Sequence, residues 1–143
     1  MFEELDYVTE QTGDIVVSAC PTLIESSKEN DEFLWGYYLR IENNSDEKIC
    51  LLGKNWNITD DKGNCFYDNS AGFKGELPEL EPGEYFEFSS TAPLNSPHAV
   101  FYGSCKILSG IKKIVSEIKI PTFNLNAEND SVCLDRKSTR LNS

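Results

Sequence analysis

Apolar and polar positions alternate along most of this chain. The clearest case is residues 32–42, where Phe33, Trp35, Tyr37, Leu39 and Ile41 share one parity and Gly36, Arg40 and Glu42 the other. Large apolar residues at period two predict a half-buried strand. Residues 14–19 show a shorter alternation, with Ile15, Val17 and Ala19 on one face. Pro21 lacks an N–H, so this strand is expected to lie at an edge or to end there. The hydrophilic stretch 25–31 then reads as a loop. Asn43-Asn44-Ser45-Asp46 is a turn, and the next strand carries a change of parity. Ile49 and Leu51 share one face, Trp56 and Ile58 the other, so a bulge is expected around Leu52-Gly53-Lys54.

A turn at residues 60–64 leads to a short strand at Cys65-Phe66-Tyr67. Residues 70–83 read as loop, ending in a Pro82-Gly83 turn that launches a strand from Tyr85. Residues 92–97 read as another turn. Residues 98–108 form a strand of mixed pattern, and residues 114–120 form one with Ile114, Ile118 and Ile120 inward. Pro121 is then expected to send Phe123 and Leu125 into a final edge. Seven or eight short strands, with turn signals between them, predict an all-β fold. The expected form is a fibronectin III/immunoglobulin-like sandwich of two antiparallel sheets. Residues 1–12 are expected to be a flexible lead, 13–126 the domain, and 127–143 a disordered tail. Residues 135–143 also resemble the translation of a sequencing adapter and are set apart from the fold.

Charge narrows the function. The 143 residues carry a formal net charge of −11, which disfavours nucleic-acid phosphates and anionic membranes as partners. No apolar run approaches the length of a membrane span, and the acidic start lacks the pattern of a secretory signal. A cytoplasmic protein is therefore expected. The five cysteines form no Cys-x-x-Cys pair and read as buried, reduced thiols. Sequons at Asn43 and Asn57 carry no meaning in a protein that is not exported.

Candidate chemistry is sparse. Ser70-Ala71-Gly72-Phe73-Lys74-Gly75 could fold its backbone N–H groups around an anion, because glycine tolerates positive φ. Ser70, Gly72, Lys74 and Gly75 are thus a candidate anion-binding loop, with Lys54 as a candidate adjacent basic residue. A plain sandwich loop is the competing reading. The acidic, proline-containing segment that follows does not fit a dinucleotide fingerprint, which needs a helix there. His98 is the single histidine, Asp60 and Asp61 suit a turn, and no Gly-x-Ser-x-Gly elbow occurs. No catalytic residue, metal site or cofactor is expected. Trp35 and Trp56 lie on apolar strand faces and are expected in the core.

The order of these motifs resembles the ApaG domain family. The carriers are the strand from Trp35 to Asn43 and the segment Leu51-Leu52-Gly53-Lys54-Asn55-Trp56-Asn57-Ile58-Thr59-Asp60. The glycine loop and Leu80-Glu81-Pro82-Gly83-Glu84 follow. Pro93-Leu94-Asn95-Ser96-Pro97 with Gly103, and Ile120-Pro121-Thr122-Phe123-Asn124-Leu125, complete the set. The resemblance implies a fibronectin III-like sandwich without an established catalytic set. It also implies a small cytosolic protein linked to cobalt tolerance and magnesium efflux, or an interaction module with a protein partner. A phosphate-containing small molecule is the alternative ligand. Two departures weaken anion binding: Ser70 stands where the family loop often begins with glycine, and the family's basic pair is reduced to Lys54-Asn55.

Overall fold

The computed structural model describes residues 7–27, 29–110 and 113–127. Its elements are β1 (Val8–Thr12), β2 (Ile15–Ser27), β3 (Glu32–Asn43), β4 (Ile49–Asp60), β5 (Cys65–Asp68), β6 (Glu79–Leu80), β7 (Tyr85–Leu94), β8 (His98–Ser109) and β9 (Ile114–Asn126). They form two antiparallel sheets, ordered β1-β2-β3-β7 and β5-β4-β8-β9, with β6 paired to β4. The all-β sandwich read from the alternation is the architecture observed. Among the described residues no helix is long and apolar enough to cross a membrane. Residues 1–6 and 128–143, including Cys133 and the adapter-like stretch, lie outside the described residues.

Strand β3 follows the period-two pattern closely. Phe33, Trp35, Tyr37, Leu39 and Ile41 are all buried against the opposite sheet. Leu51, Trp56, Ile58, Phe101, Ile107, Ile118 and Ile120 meet them from that sheet. Asn43, fully buried, fixes the turn after β3: its Nδ2 donates to the carbonyls of Glu47 (2.8 Å) and Leu80 (2.9 Å), and its Oδ1 accepts from Ser45 N at 3.0 Å. Hydrogen bonds at both ends of the buried amide offset its desolvation cost.

Several expectations need correction. Val8–Thr12 is a strand, β1, rather than part of a flexible lead, because it finds a full antiparallel partner in Ile15 to Ala19. β2 runs through Pro21 and on to Ser27, so the segment expected as loop is partly strand. Pro21 is tolerated because β1 stops pairing at Ala19, leaving that stretch of β2 at an edge. Residues 92–94 continue β7, an edge strand where Pro93 removes no inner ladder bond. Pro121 does not end a strand either. It lies in a bulge of β9 opposite Tyr102, where the register shifts between Phe101 and Gly103. That bulge turns Phe123 and Leu125 inward on the opposite parity from Ile118 and Ile120. Ile114, expected inward, is 54% exposed near the strand's start. Cys20 and Cys105 are buried, but Cys50 and Cys65 are only half-buried.

The two edges of the sandwich are treated differently. On one side β1 lies beside β9, and Lys119 N donates to Thr12 Oγ1 at 3.0 Å. On the other side β5 and β7 face each other across the sheets.

Candidate functional site

The bulge in β4 decides where the candidate residues point. Leu51 pairs with Ile107 and Gly53 with Lys106, so Leu52 is the extra residue. Before it, the odd positions Ile49 and Leu51 are buried; after it, Lys54, Trp56, Ile58 and Asp60 are. Lys54 therefore enters the sandwich rather than the solvent. Its Nζ lies 3.6 Å from Asp68 Oδ2 and about 5 Å from the Phe73 (5.1 Å) and Phe88 (5.0 Å) ring centres. The Trp56 ring centre is 5.6 Å away. A cation over aromatic faces beside a carboxylate is already well solvated by the protein. The same parity switch that marks the bulge in the sequence could have placed Lys54 inside.

The glycine loop is bound to that bulge. Gly72 N donates to Leu52 O at 2.7 Å, and Lys54 N donates to Ser70 O at 3.0 Å. Ser70 N reaches Asp68 Oδ1 at 3.3 Å, while Phe73 N and Glu76 N exchange bonds with Glu76 O and Phe73 O. These N–H groups thus meet the chain's own carbonyl and carboxylate oxygens. Gly72 has φ +71, and a Cβ there would stand 2.5 Å from Glu76 O, so the tight turn itself demands glycine. The turn drives Phe73 into the core, 2% exposed, with ring centres 5.9 Å from Trp56 and 5.3 Å from Phe86. Lys74 folds back over β7, its Nζ donating to Ser89 O at 3.0 Å with the Phe88 ring 5.2 Å away.

The structure thus brings Ser70, Gly72 and Lys54 together, but as a packed strap. Lys74 and Gly75 lie on the far side of its turn. A hollow of about 430 Å³ beside the strap is lined by Asn55, Ser70, Lys106 and Glu117, among others. Lys106 escaped the sequence reading because only the pairing of β8 with β4 brings it opposite Gly53.

The other polar candidates are occupied too. Asp60 Oδ1 accepts from Lys62 N (2.9 Å) and Asn64 N (2.8 Å), which makes it the organiser of the hairpin turn. Burial alone would raise its carboxyl, but the bonds from Asn64 and Lys62 outweigh it and hold the group below its ordinary value. Asp61 and Ser96 bond to each other through their side chains. The His98 carbonyl accepts from Asp61 N at 3.2 Å. Among the described residues no group of three His, Cys, Asp or Glu side chains is placed to hold a metal ion.

Several large apolar side chains are also exposed. Tyr67 is 68% exposed and Tyr102 39%. Both flank Asn57 on the outer face of the five-stranded sheet. Thr59 sits among them, with Oγ1 3.4 Å from Cys65 Sγ and 3.4 Å from the Tyr102 hydroxyl. A contact to Cys65 raises the Tyr67 phenol above its ordinary value.

Comparison with known proteins gives a consistent result. A family model described as ApaG domain matches residues 23–109. A Protein ApaG from Agrobacterium fabrum is 34% identical over 118 residues, covering 81% of this chain and 90% of that protein. The Protein ApaG of Caulobacter vibrioides is 36% identical over 118 residues, covering 81% and 84%. Among solved structures, a putative ApaA protein from Bordetella pertussis superposes with a TM-score of 0.74 at 28% identity, covering 79% of this chain and 93% of that one.

Proposed function

The chain belongs to the ApaG domain family, and from that premise we propose that it is a non-catalytic module that binds a protein partner in the cytoplasm. The observation that supports this most is a contrast. Lys54 is paired inside the fold, Lys74 is bonded to the Ser89 carbonyl and many of the loop amides meet the chain's own oxygens, while Tyr67 and Tyr102 stand on an outer sheet face. Exposed aromatic side chains of this kind are favoured contact residues. A role in cobalt tolerance and magnesium efflux rests on the family resemblance alone and forms the cellular side of the proposal.

A second reading keeps a specific observation behind it. The hollow beside the glycine strap holds Lys106, Ser70 and Asn55 on its wall. A pyrophosphate or dinucleotide polyphosphate would meet Lys106 there, with Lys54, also on the lining, held by Asp68, and Glu117 opposing it.

The test uses the whole chain carrying a photo-reactive phenylalanine analogue at position 67. In cells that hold the gene it should form one saturable adduct, competed by unlabelled protein. A Tyr67→Ala, Tyr102→Ala double variant should compete at least about tenfold less well. The same variant should fail to restore cobalt tolerance to cells lacking the gene. Steady turnover of a dinucleotide polyphosphate by the purified chain would defeat the non-catalytic reading.

A further inference from the structure

The open seam between β5 and β7 contains a cavity of about 280 Å³. Its origin can be followed through the register. Trp56 pairs with Asp68 and Ile58 with Phe66, so Asp68 and Phe66 share the inward face of their sheet. On the other sheet Tyr37 pairs with Ser90 and Trp35 with Ala92. β7 thus places two small residues, Ser90 and Ala92, between the bulky inward pair Phe88 and Leu94. Opposite these small residues Phe66 stays 39% exposed although it faces inward. The space left between them has an aromatic floor of Tyr37, Trp56 and Phe101 and a polar rim at Asp68 and Ser90.

The volume falls just below the range of small-molecule pockets, roughly 300–1,000 Å³, and suits one ring better than a nucleotide. The strand edges beside it differ. β7 is blunted: Pro93 lacks an N–H, and the Lys74 ammonium already caps the Ser89 carbonyl. β5 pairs on one side only, with β4, so its four residues keep an open row of backbone groups. A net charge of −11 favours a basic partner approaching that edge.

The geometry points to a binding site for one aromatic side chain of a basic, extended partner segment that adds as a strand to β5 and seats its ring between Phe66 and Ser90. This rests on the reading of the chain as a protein-binding module, and it names the subsite and the chemistry of the partner. Backbone bonds to the β5 edge give attachment, and the aromatic floor gives selectivity, as in other strand-addition complexes.

The test is an amide-shift titration of the full chain with p-cresol and indole as ring probes. The expected result is saturable shifts at Phe66, Asp68, Thr91 and Ala92. Ser90→Leu, which fills the cavity, should weaken them at least about tenfold at an unchanged melting temperature. Should that variant fail to fold, Phe66→Ala, at a half-exposed position, must give a clear weakening instead. Shifts that do not saturate, or that survive cavity filling, overturn the proposal. A second arm compares acetyl-Lys-Val-Trp-Val-Lys-amide with its Glu-flanked counterpart. The Lys peptide should bind at least about tenfold tighter and move the Cys65 to Asp68 amides. Equal affinities overturn the basic-partner assignment. If the partner crosslinked at position 67 binds folded Ser90→Leu as well as wild type, the cavity inference fails while the interaction-module reading stands. If ring probes bind but no protein partner exists, the module reading fails instead.

Discussion

Gly103 lies directly across from Trp56 in the β4–β8 ladder, and the two backbones approach too closely for any side chain on residue 103. A Cβ there would stand 2.1 Å from Asn55 O and 2.9 Å from Trp56 Cα, and φ is +151°. Gly103→Ala should therefore cost roughly 2–5 kcal/mol, from backbone strain and from overpacking together. Urea titration measures this. A loss below about 1 kcal/mol would mean that the ladder opens without penalty and that Trp56 is not held in place by it.

The same pair of residues shows what the sequence discloses and what it conceals. The alternation of β3 is legible because five large apolar residues in strict period two admit one burial pattern. The β4 bulge is legible as a parity switch, and the switch carries Trp56 inward as expected. Its effect on Lys54 is equally implicit but runs against the habit of placing lysine outside. Pro93 and Pro121 mislead because a proline's cost depends on whether its missing N–H faces a partner strand, which only topology settles; Pro21 sits where β2 is locally an edge, one of the two outcomes expected of it. β1 conceals itself by polarity: Val8 is its one apolar side chain, and Glu10 and Thr12 share the half-buried face of a strand five residues long. The seam cavity is invisible in sequence, since it arises where Ser90 and Ala92 meet a strand from the other sheet. For the glycine strap the residues are legible and their use is not. Gly72 is required by a tight turn that buries Phe73.

Trp56 is the hub of the aromatic core, with ring centres 6.0 Å from Tyr37, 5.4 Å from Phe88 and 6.0 Å from Phe101. At 1% exposure, its truncation in Trp56→Ala should cost roughly 3–5 kcal/mol. The denaturant midpoint should fall with little change in slope, because the denatured state is not the one altered. A cost under about 1 kcal/mol would mean that Trp56 does not hold the core together and would make it a candidate binding residue.

Cys105 is fully buried opposite Lys54. Burial pushes its thiol up to about 12, against the opposing pull of the neighbouring Trp56 and Lys54. The folded protein thus keeps the proton that an unfolded thiol releases near 8.5. The sign follows: above pH ~8.5 the unfolded state binds fewer protons, so stability falls as pH rises, until the folded group also titrates near 12. The contribution should reach about 1.4 kcal/mol per pH unit. Subtracting the profile of Cys105→Ala from that of wild type between about pH 8 and 11 isolates it from the tyrosines and other thiols. A flat difference would show that the thiol ionises in place. At neutral pH a thiol reagent should modify Cys50 and Cys65 well before Cys105, which reacts only after opening.

The last prediction separates the protein-binding reading from the anion-binding one. An anion nest needs converging backbone N–H groups, and Gly72 N, Phe73 N and Ser70 N are already bonded to Leu52, Glu76 and Asp68. It also needs charge, and here Lys54 is paired inside and Lys74 is held at Ser89. Lys106 remains at the neighbouring hollow, with Glu117 on the same wall and a net charge of −11 around both. Freeing the loop amides would break the strap and expose Phe73, which costs more than one weakly solvated anion returns. Pyrophosphate should therefore bind no tighter than about 1 mM, equivalent to about 4 kcal/mol. Calorimetry with pyrophosphate and with diadenosine tetraphosphate, each with and without magnesium, measures this. A dissociation constant below about 10 μM that disappears in Lys74→Ala or Lys106→Ala would reverse the ranking and make the strap a ligand site.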